Sequence, residues 1–322
     1  MEQAGDTLPS SEHFRIRQLT DGVYAAIAIP GGAAFSNAGI VDLGNQTLIF
    51  DTFETPRAAA DLKAAAEQLT GRPTTYVVIS HSHADHWCGN QVFDPEVPIV
   101  ASHLTREEMP KGIGFLKSLQ EDPAQVEEEI QEYREQLQAT TDPHLQAALE
   151  GAIARMGYWR EMLPTLEFRY PNLTFDGTWI FHGTRRTVEL HAVAPGHTVC
   201  DVYLHLPEDR IVLMGDLGFF QSQPFMAFCD PQAWVAHLQQ MEQTDVETFV
   251  PGHGPLGTKA DLVLQWQYIT LVEERIAQAV QDGVPVEAVL QQGLPAPFDA
   301  WLLGSARWEA NVHTLYERMS GQ

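Results

Sequence analysis

Short runs of apolar and β-branched residues alternate with turn signals through the first third of the chain. Residues 14–19 and 22–29 read as strands joined by Thr20-Asp21-Gly22, and residues 38–42 and 47–50 as two more joined by Gly44-Asn45. A loop of small residues from Pro30 to Asn37 separates the two pairs. Residues 56–69 change the period: alanines with spaced charges behind Pro56 predict an amphipathic helix. A buried strand follows at 75–79 and a shorter one at 98–101. Residues 104–163 are dense in Glu, Gln, Leu and Ala and poor in β-branched residues. They predict a helical insertion of two or three helices, broken at Asp142-Pro143, with 126–139 and 144–162 as examples. Its acidic run Glu127-Glu128-Glu129 is simplest as a solvated helix face. An insertion of this size suits either a lid or a dimer surface.

Strand patterning returns at 173–175, 179–181, 188–194, 202–206 and 211–214, with turns at Asp176-Gly177 and Pro207-Glu208-Asp209. A helix at 230–243, a strand at 248–250 and closing helices at 259–281 and 298–316 complete the chain. Strands followed by a helix occur twice, which predicts two sheet-plus-helix halves packed sheet to sheet, an α/β sandwich. No linker composition separates the halves. Residues 1–322 are therefore expected to form one domain, with 104–163 as the insertion, 259–322 as C-terminal helices and 1–13 as a loose polar tail.

Charge narrows the partners. The 322 residues carry a formal net charge of -24, which repels nucleic acid and anionic membrane surfaces. The expected partner is a small-molecule substrate, with a homodimer through the insertion as an option. Cys88, Cys200 and Cys229 are few, odd in number and far apart, so no disulfide framework is expected. The N-terminal stretch with Glu2, Asp6, Glu12 and Arg15 does not read as a secretory signal, and no segment is long and apolar enough to span a membrane. A cytoplasmic protein is expected.

The chemistry concentrates after the strand at 75–79, where His81-Ser82-His83-Ala84-Asp85-His86 places four metal-competent side chains in one stretch. In extended backbone His81 and His83 face the same side. Asp85 and His86 follow where the chain must turn and can reach a neighbouring point. Imidazoles with carboxylates suit zinc and similar divalent ions. Three more motifs follow strands: Ala194-Pro195-Gly196-His197-Thr198, Leu213-Met214-Gly215-Asp216 and Val250-Pro251-Gly252-His253-Gly254. Each puts one His or Asp on what reads as a loop past a strand end. Taken singly, each is an ordinary turn or a structural histidine.

Taken together, they resemble the metallo-β-lactamase superfamily of metallohydrolases over roughly residues 14–260, through Asp51, His81-x-His83-x-Asp85-His86, His197, Asp216 and His253 in that order. The resemblance implies an αββα sandwich with metals at one edge of the two sheets. It implies a first metal on His81, His83 and His197, a second on Asp85, His86 and His253, Asp216 bridging both, and Asp51 steadying the cluster by hydrogen bonds. Two zinc ions are the default, and iron or manganese also suit these ligands. The best-known β-lactamase subclass carries a cysteine where Asp216 stands and a binding lysine shortly after; residues 217–220 hold no basic residue. Aspartate there resembles glyoxalase II-type thioesterases and lactonases.

The implied reaction is dinuclear hydrolysis of a small carbonyl substrate, a β-lactam, lactone or thioester. Two metals about 3.5–4 Å apart lower the pKa of a shared water towards ~7, so that a metal-bound hydroxide attacks the carbonyl, oriented by Asp85. A lactonase would add a tyrosine near the site, and a glutathione thioesterase a basic cluster; neither is visible. A phosphodiesterase on the same fold and a mononuclear-iron dioxygenase of the superfamily are the competing readings. Pocket candidates are Phe35 in the loop at 33–37, Trp87, and Phe225 and Met226 in the aromatic segment 219–228, which either line an apolar substrate face or pack that loop down. The other eight histidines, His13, His103, His144, His182, His191, His205, His237 and His313, read as structural or surface residues.

Overall fold

The computed structural model describes residues 8–141, 143–302 and 304–321, without the side chains of Pro143, His144 and Ser305. Most of the predicted tail and the break at Asp142 therefore lie outside the described residues, as does the His144 side chain. One sheet runs in chain order: β1 (Phe14–Thr20), β2 (Val23–Ala28), β3 (Ala38–Asp42), β4 (Thr47–Phe50), β5 (Tyr76–Val78), β6 (Ile99–Ser102) and β7 (Leu173–Phe175). It is antiparallel up to β4 and parallel from β4 onward. The change of direction follows from α1 (Pro56–Thr70), since a parallel pair needs a crossover. Thr55 caps this helix by accepting a hydrogen bond from Ala58 N, and Gly71 ends it at φ 69°.

The second sheet has the order β12-β11-β10-β9-β8, from β8 (Thr178–His182), β9 (Thr187–Val193), β10 (Asp201–Leu206), β11 (Ile211–Phe219) and β12 (Thr248–His253). Alternation along the strands builds the layers. Leu48, Phe50 and Val78 point between the sheets towards Val202, Leu204 and Leu213, while Ile49 and Val77 point out towards Leu62 of α1. On the other outer face Val212 and Met214 meet Trp234 and Leu238 of α5 (Pro231–Glu242) and Ile269 and Val272 of α6 (Lys259–Asp282). The architecture is the αββα sandwich expected.

The insertion forms three helices, α2 (His103–Glu121), α3 (Ala124–Ala139) and α4 (Pro143–Met162). Met109, Ile113, Val126, Ile130 and Trp159 join the core over the first sheet, so its apolar stripe faces inward and its Glu-rich face is solvated. The C-terminal part differs from expectation. A short helix α7 (Val286–Gln291) intervenes, residues 298–300 make only a 3-10 turn, and the last helix is α8 (Gly304–Ser320). Trp301 turns extended to stack on Tyr268, and Leu302 N donates to Gln221 O (2.9 Å) while its carbonyl accepts from Gln223 N (3.1 Å), which holds these residues out of a helix and delays the start. Asn311 of α8 accepts from Met226 N (3.0 Å) and donates to Pro224 O (2.8 Å), pinning the segment that follows β11.

Candidate metal centre

Parallel pairing brings the reactive stretches to one edge. β4 and β5 end side by side, as do β11 and β12, so Asp51, the 81–86 turn, Asp216 and His253 share that edge. Hydrogen bonds across the sandwich lock it: Ser80 O accepts from Val202 N (2.7 Å), and Asn37 N and Nδ2 donate to Gly252 O (2.7 Å) and Pro251 O (2.9 Å). The loops expected to carry Asp216 and His253 are in fact strand. β11 and β12 continue through both residues because bulges near Gly215 shift their register. Close packing there demands glycine: a Cβ on Gly252 would lie 2.0 Å from Asp216 Oδ1, and one on Gly215, which has φ +54°, would lie 2.5 Å from Ser80 Cβ.

The seven predicted ligands meet in two clusters. In one, His83 Nδ1 lies 3.1 Å from His197 Nε2, and Asp216 Oδ2 lies 3.4 Å from His197 Nε2 and 3.6 Å from His81 Nε2. In the other, Asp85 Oδ2 lies 3.2 Å from His253 Nε2 and 3.5 Å from His86 Nε2. Asp216 Oδ1 is 3.1 Å from His86 Nε2 and 3.4 Å from His253 Nε2. Metal–ligand bonds of about 2.0–2.2 Å put tetrahedral neighbours roughly 3.4 Å apart, which is the spacing found. The buried atoms His81 Nε2, His86 Nε2 and Asp216 Oδ1 have no hydrogen-bond partner among the described residues. Donor atoms that converge without bonding one another fit a cation between them.

Asp51 sets the imidazoles. Its Oδ2 is 2.7 Å from His86 Nδ1 and accepts from Ser80 Oγ (2.8 Å), while Ser80 N donates to Oδ1 (2.7 Å). Ser80 Oγ in turn lies 2.9 Å from His81 Nδ1. With Asp51 and Ser80 as acceptors, both rings carry a proton on Nδ1 and turn Nε2 into the centre. Asp51 holds this position at φ 62°, a left-handed conformation uncommon outside glycine.

Electrostatics divide the centre. Burial keeps His81, His83 and His197 neutral, His197 down to about 3, which is the form that binds cations. Burial also opposes charge on His86 and His253, but Asp216 and Asp85 outweigh it and push His253 up to about 9. Burial opposes ionisation of Asp216 and Asp85 too, yet the imidazoles hold both well below the usual carboxylate range.

Asp201 steers the turn that carries His197. It is buried and accepts from Thr198 N (2.9 Å) and Thr198 Oγ1 (2.7 Å). Burial outweighs these bonds and pushes its carboxyl from 3.8 up to about 7. The folded state then holds this proton longer than the unfolded chain, so stability falls as pH rises from about 4 to 7, by up to about 4 kcal/mol at ~1.4 per pH unit. In chelator-treated protein, Asp201→Asn is expected to flatten that slope in urea titrations across this range; an unchanged slope would sink the assignment.

The pocket candidates separate. Phe35 sits edge-on to His253 with centroids 5.6 Å apart, and Phe225 lies 5.9 Å from His83; both rings are half-buried. Exposed Phe228 also reaches His83, at 5.7 Å. Trp87 and Met226 do not line the opening: they are 1% and 0% exposed. Trp87 donates Nε1–H to Ser82 O (2.8 Å) beneath the turn, and Met226 joins the Trp234 core. Phe219 and Phe220 are packed down as well.

Besides Ser80 and Asp201, sequence reasoning missed Glu54, Arg155 and Arg307. Arg155 of α4 grips buried Glu54 through Nε (2.9 and 3.0 Å) and lies 3.6 Å over the Phe35 ring. Arg307 of α8 lies 4.6 Å over the Phe225 ring, half-buried, with no hydrogen bond or ion pair among the described residues. Burial and Arg155 both depress its pKa, while Asp216 and Asp85 act on it in the opposite sense. Single arginines on helices give no periodic or motif signal, so only packing reveals them.

The sequence model of the metallo-beta-lactamase superfamily matches residues 31–253. Comparison with curated proteins finds no match. A metallo-beta-lactamase from Pontibacter korlensis superposes with a TM-score of 0.57 at 18% identity, covering 80% of this chain and 99% of its own. The mono-zinc form of the metallo-beta-lactamase FIM-1 from Pseudomonas aeruginosa gives 0.56 at 17% identity, covering 82% and 98%. At such identities the likeness concerns the fold alone. The family match spans the whole run from the loop before Asn37 to His253, and the chain belongs to the metallo-beta-lactamase superfamily.

Proposed function

We propose that this protein is a dinuclear, zinc-type metallohydrolase acting on a small carbonyl substrate that bears an acidic group. One observation carries the dinuclear reading: the two oxygens of Asp216 face different ligand sets, Oδ2 towards His81 and His197, Oδ1 towards His86 and His253. Two divalent ions held there would supply Lewis-acid activation, lowering the pKa of a water towards ~7 and polarising a carbonyl oxygen. Asp85 commits only Oδ2 to His86 and His253. Its Oδ1 is left to orient the attacking water and take its proton, and Ser36 Oγ holds the Asp85 backbone oxygen at 2.6 Å. Phe35, Phe225 and Phe228 give the opening apolar walls that exclude water from the acyl group. The insertion then acts as part of a lid, since α4 and α8 meet beside this edge.

Arg307 supports the acidic group. A guanidinium with no hydrogen bond or ion pair among the described residues, above the Phe225 ring near His83, is placed to pair with a carboxylate. Arg307→Gln is expected to raise KM for acid-bearing substrates about tenfold and leave neutral analogues unchanged, as one charge-assisted hydrogen bond is worth about 1.5 kcal/mol. Equal effects on both classes would remove the assignment.

Elemental analysis with a panel of a chromogenic lactam, a lactone, a thioester and a phosphodiester tests the whole reading. Two metal equivalents per chain with turnover of a carbonyl substrate are expected. Turnover of the phosphodiester alone, or one iron with no hydrolysis, would overturn it and favour a phosphodiesterase or a dioxygenase.

A further inference from the structure

A second group of ligand-type side chains occupies the outer face of the five-stranded sheet. Glu189 and His191 are two apart on β9 and share that face, while the intervening Leu190 points into the inter-sheet core. On β10, His205 is the direct partner of Glu189, and Tyr203 that of His191. Both imidazoles converge on one oxygen: Glu189 Oε2 lies 3.2 Å from His191 Nε2 and 3.1 Å from His205 Nδ1. Among the described residues no lysine or arginine pairs with Glu189. The three side chains keep 30%, 24% and 19% exposure (Glu189, His191, His205), so one side of the cluster is open to water.

The scaffold fixes the rings. His191 stacks on Tyr203 with centroids 4.7 Å apart and planes 18° apart, and its Nδ1 is 3.3 Å from Thr178 Oγ1. With Nδ1–H given to Thr178, the Nε2 lone pair is free to face a cation. A residue pair two apart on one strand and a neighbour on the next form a triangular donor face: both spacings to Glu189 are near that of a tetrahedral site, and the three donor atoms lie within 4.8 Å of one another. We propose that Glu189, His191 and His205 bind a divalent first-row cation of the zinc, cobalt or nickel type, with water completing its coordination. Imidazole donors disfavour calcium and magnesium. None of these residues belongs to the Asp216 centre, and the proposal does not depend on that centre's metal count.

His205 makes the test specific. Its Nε2 is buried with no hydrogen-bond partner among the described residues, so in the cation-free cluster the proton belongs on Nδ1, shared with Glu189. Cation binding at Nδ1 moves that proton to Nε2. The site therefore leaves a buried N–H unpaired and fills after the Asp216 centre.

Chelator-stripped protein titrated with Zn(II) by calorimetry is expected to bind one more equivalent than Glu189→Gln or His205→Gln, at least tenfold more weakly than any equivalent taken by the Asp216 centre. Long-range 15N–1H spectra are expected to show the His205 proton moving from Nδ1 to Nε2 as this equivalent binds. Equal stoichiometry in parent and variants, or a proton that stays on Nδ1 in excess zinc, would reduce the cluster to a hydrogen-bonded Glu–His pairing. Should either variant misfold, the spectrum of the parent protein decides alone. The difference between parent and variants is one equivalent whether the Asp216 centre binds two ions, one or none.

Discussion

Asp216→Ala is expected to cut kcat/KM for the carbonyl substrate by about a thousandfold or more and to lower the bound metal by at least one equivalent. Among the described residues the aspartate is the one carboxylate whose two oxygens face both ligand sets. If the proposed ions are held there, losing it would remove several kcal/mol of the Lewis-acid stabilisation they would supply, at ~1.4 kcal/mol per factor of ten. It also removes the carboxylate that most strongly raises His86 and His253 against burial, so both imidazoles return towards neutrality. The fold should persist, because the substitution takes a charge out of a buried site rather than stranding one. Asp51→Asn is the graded control. It disturbs the hydrogen bonds behind His86 and Ser80, and about 10–100-fold in metal affinity or activity is expected. Metal analysis, kinetics and a thermal melt on the same preparations check all three statements. Unchanged metal content with full activity in Asp216→Ala would refute the bridging role.

Arg155→Ala should be the most destabilising surface-directed change, by about 3 kcal/mol at pH 8. Glu54 is 2% exposed and would lose its guanidinium partner, and an uncompensated buried charge costs about 3–5 kcal/mol. The lower end applies because the arginine side chain is itself 30% exposed. The sign of the pH dependence follows. Burial already raises the Glu54 carboxyl and Arg155 pulls it back, so removing Arg155 raises it further. A raised folded pKa means that stability is lost as pH climbs past the unfolded glutamate value of about 4.3. The deficit should therefore be small at pH 4 and full at pH 8. Urea titrations of parent and variant at both pH values test this, and a deficit independent of pH would point to lost packing over Phe35 and Trp159 instead. Arg155→Met with Glu54→Gln should recover most of the loss.

The sequence by itself determined the layered fold and the chemistry offered at its edge. Both rest on local rules. Period-two strands such as β1 and period-3.6 helices such as α1 are written in adjacent positions, and His81, His83, Asp85 and His86 fall within a single turn after a strand. His197, Asp216 and His253 were legible because Gly and Pro mark each turn around them and because their order resembles a known family. Only the tertiary structure decided that Asp216 and His253 lie within strands, since the parallel bulged pairing of β11 and β12 is invisible to either strand alone. It alone buried Trp87 and Met226 while leaving Phe35, Phe225 and Phe228 at the edge where the ligand clusters meet; α8 pins the segment of Met226, and Ser82 O holds Trp87 beneath its turn. It alone joined Glu54 to Arg155, set Arg307 over Phe225 and aligned His205 with Glu189. These partners come from different layers or strands, and their meeting depends on how whole elements pack, a quantity that no short stretch of sequence encodes.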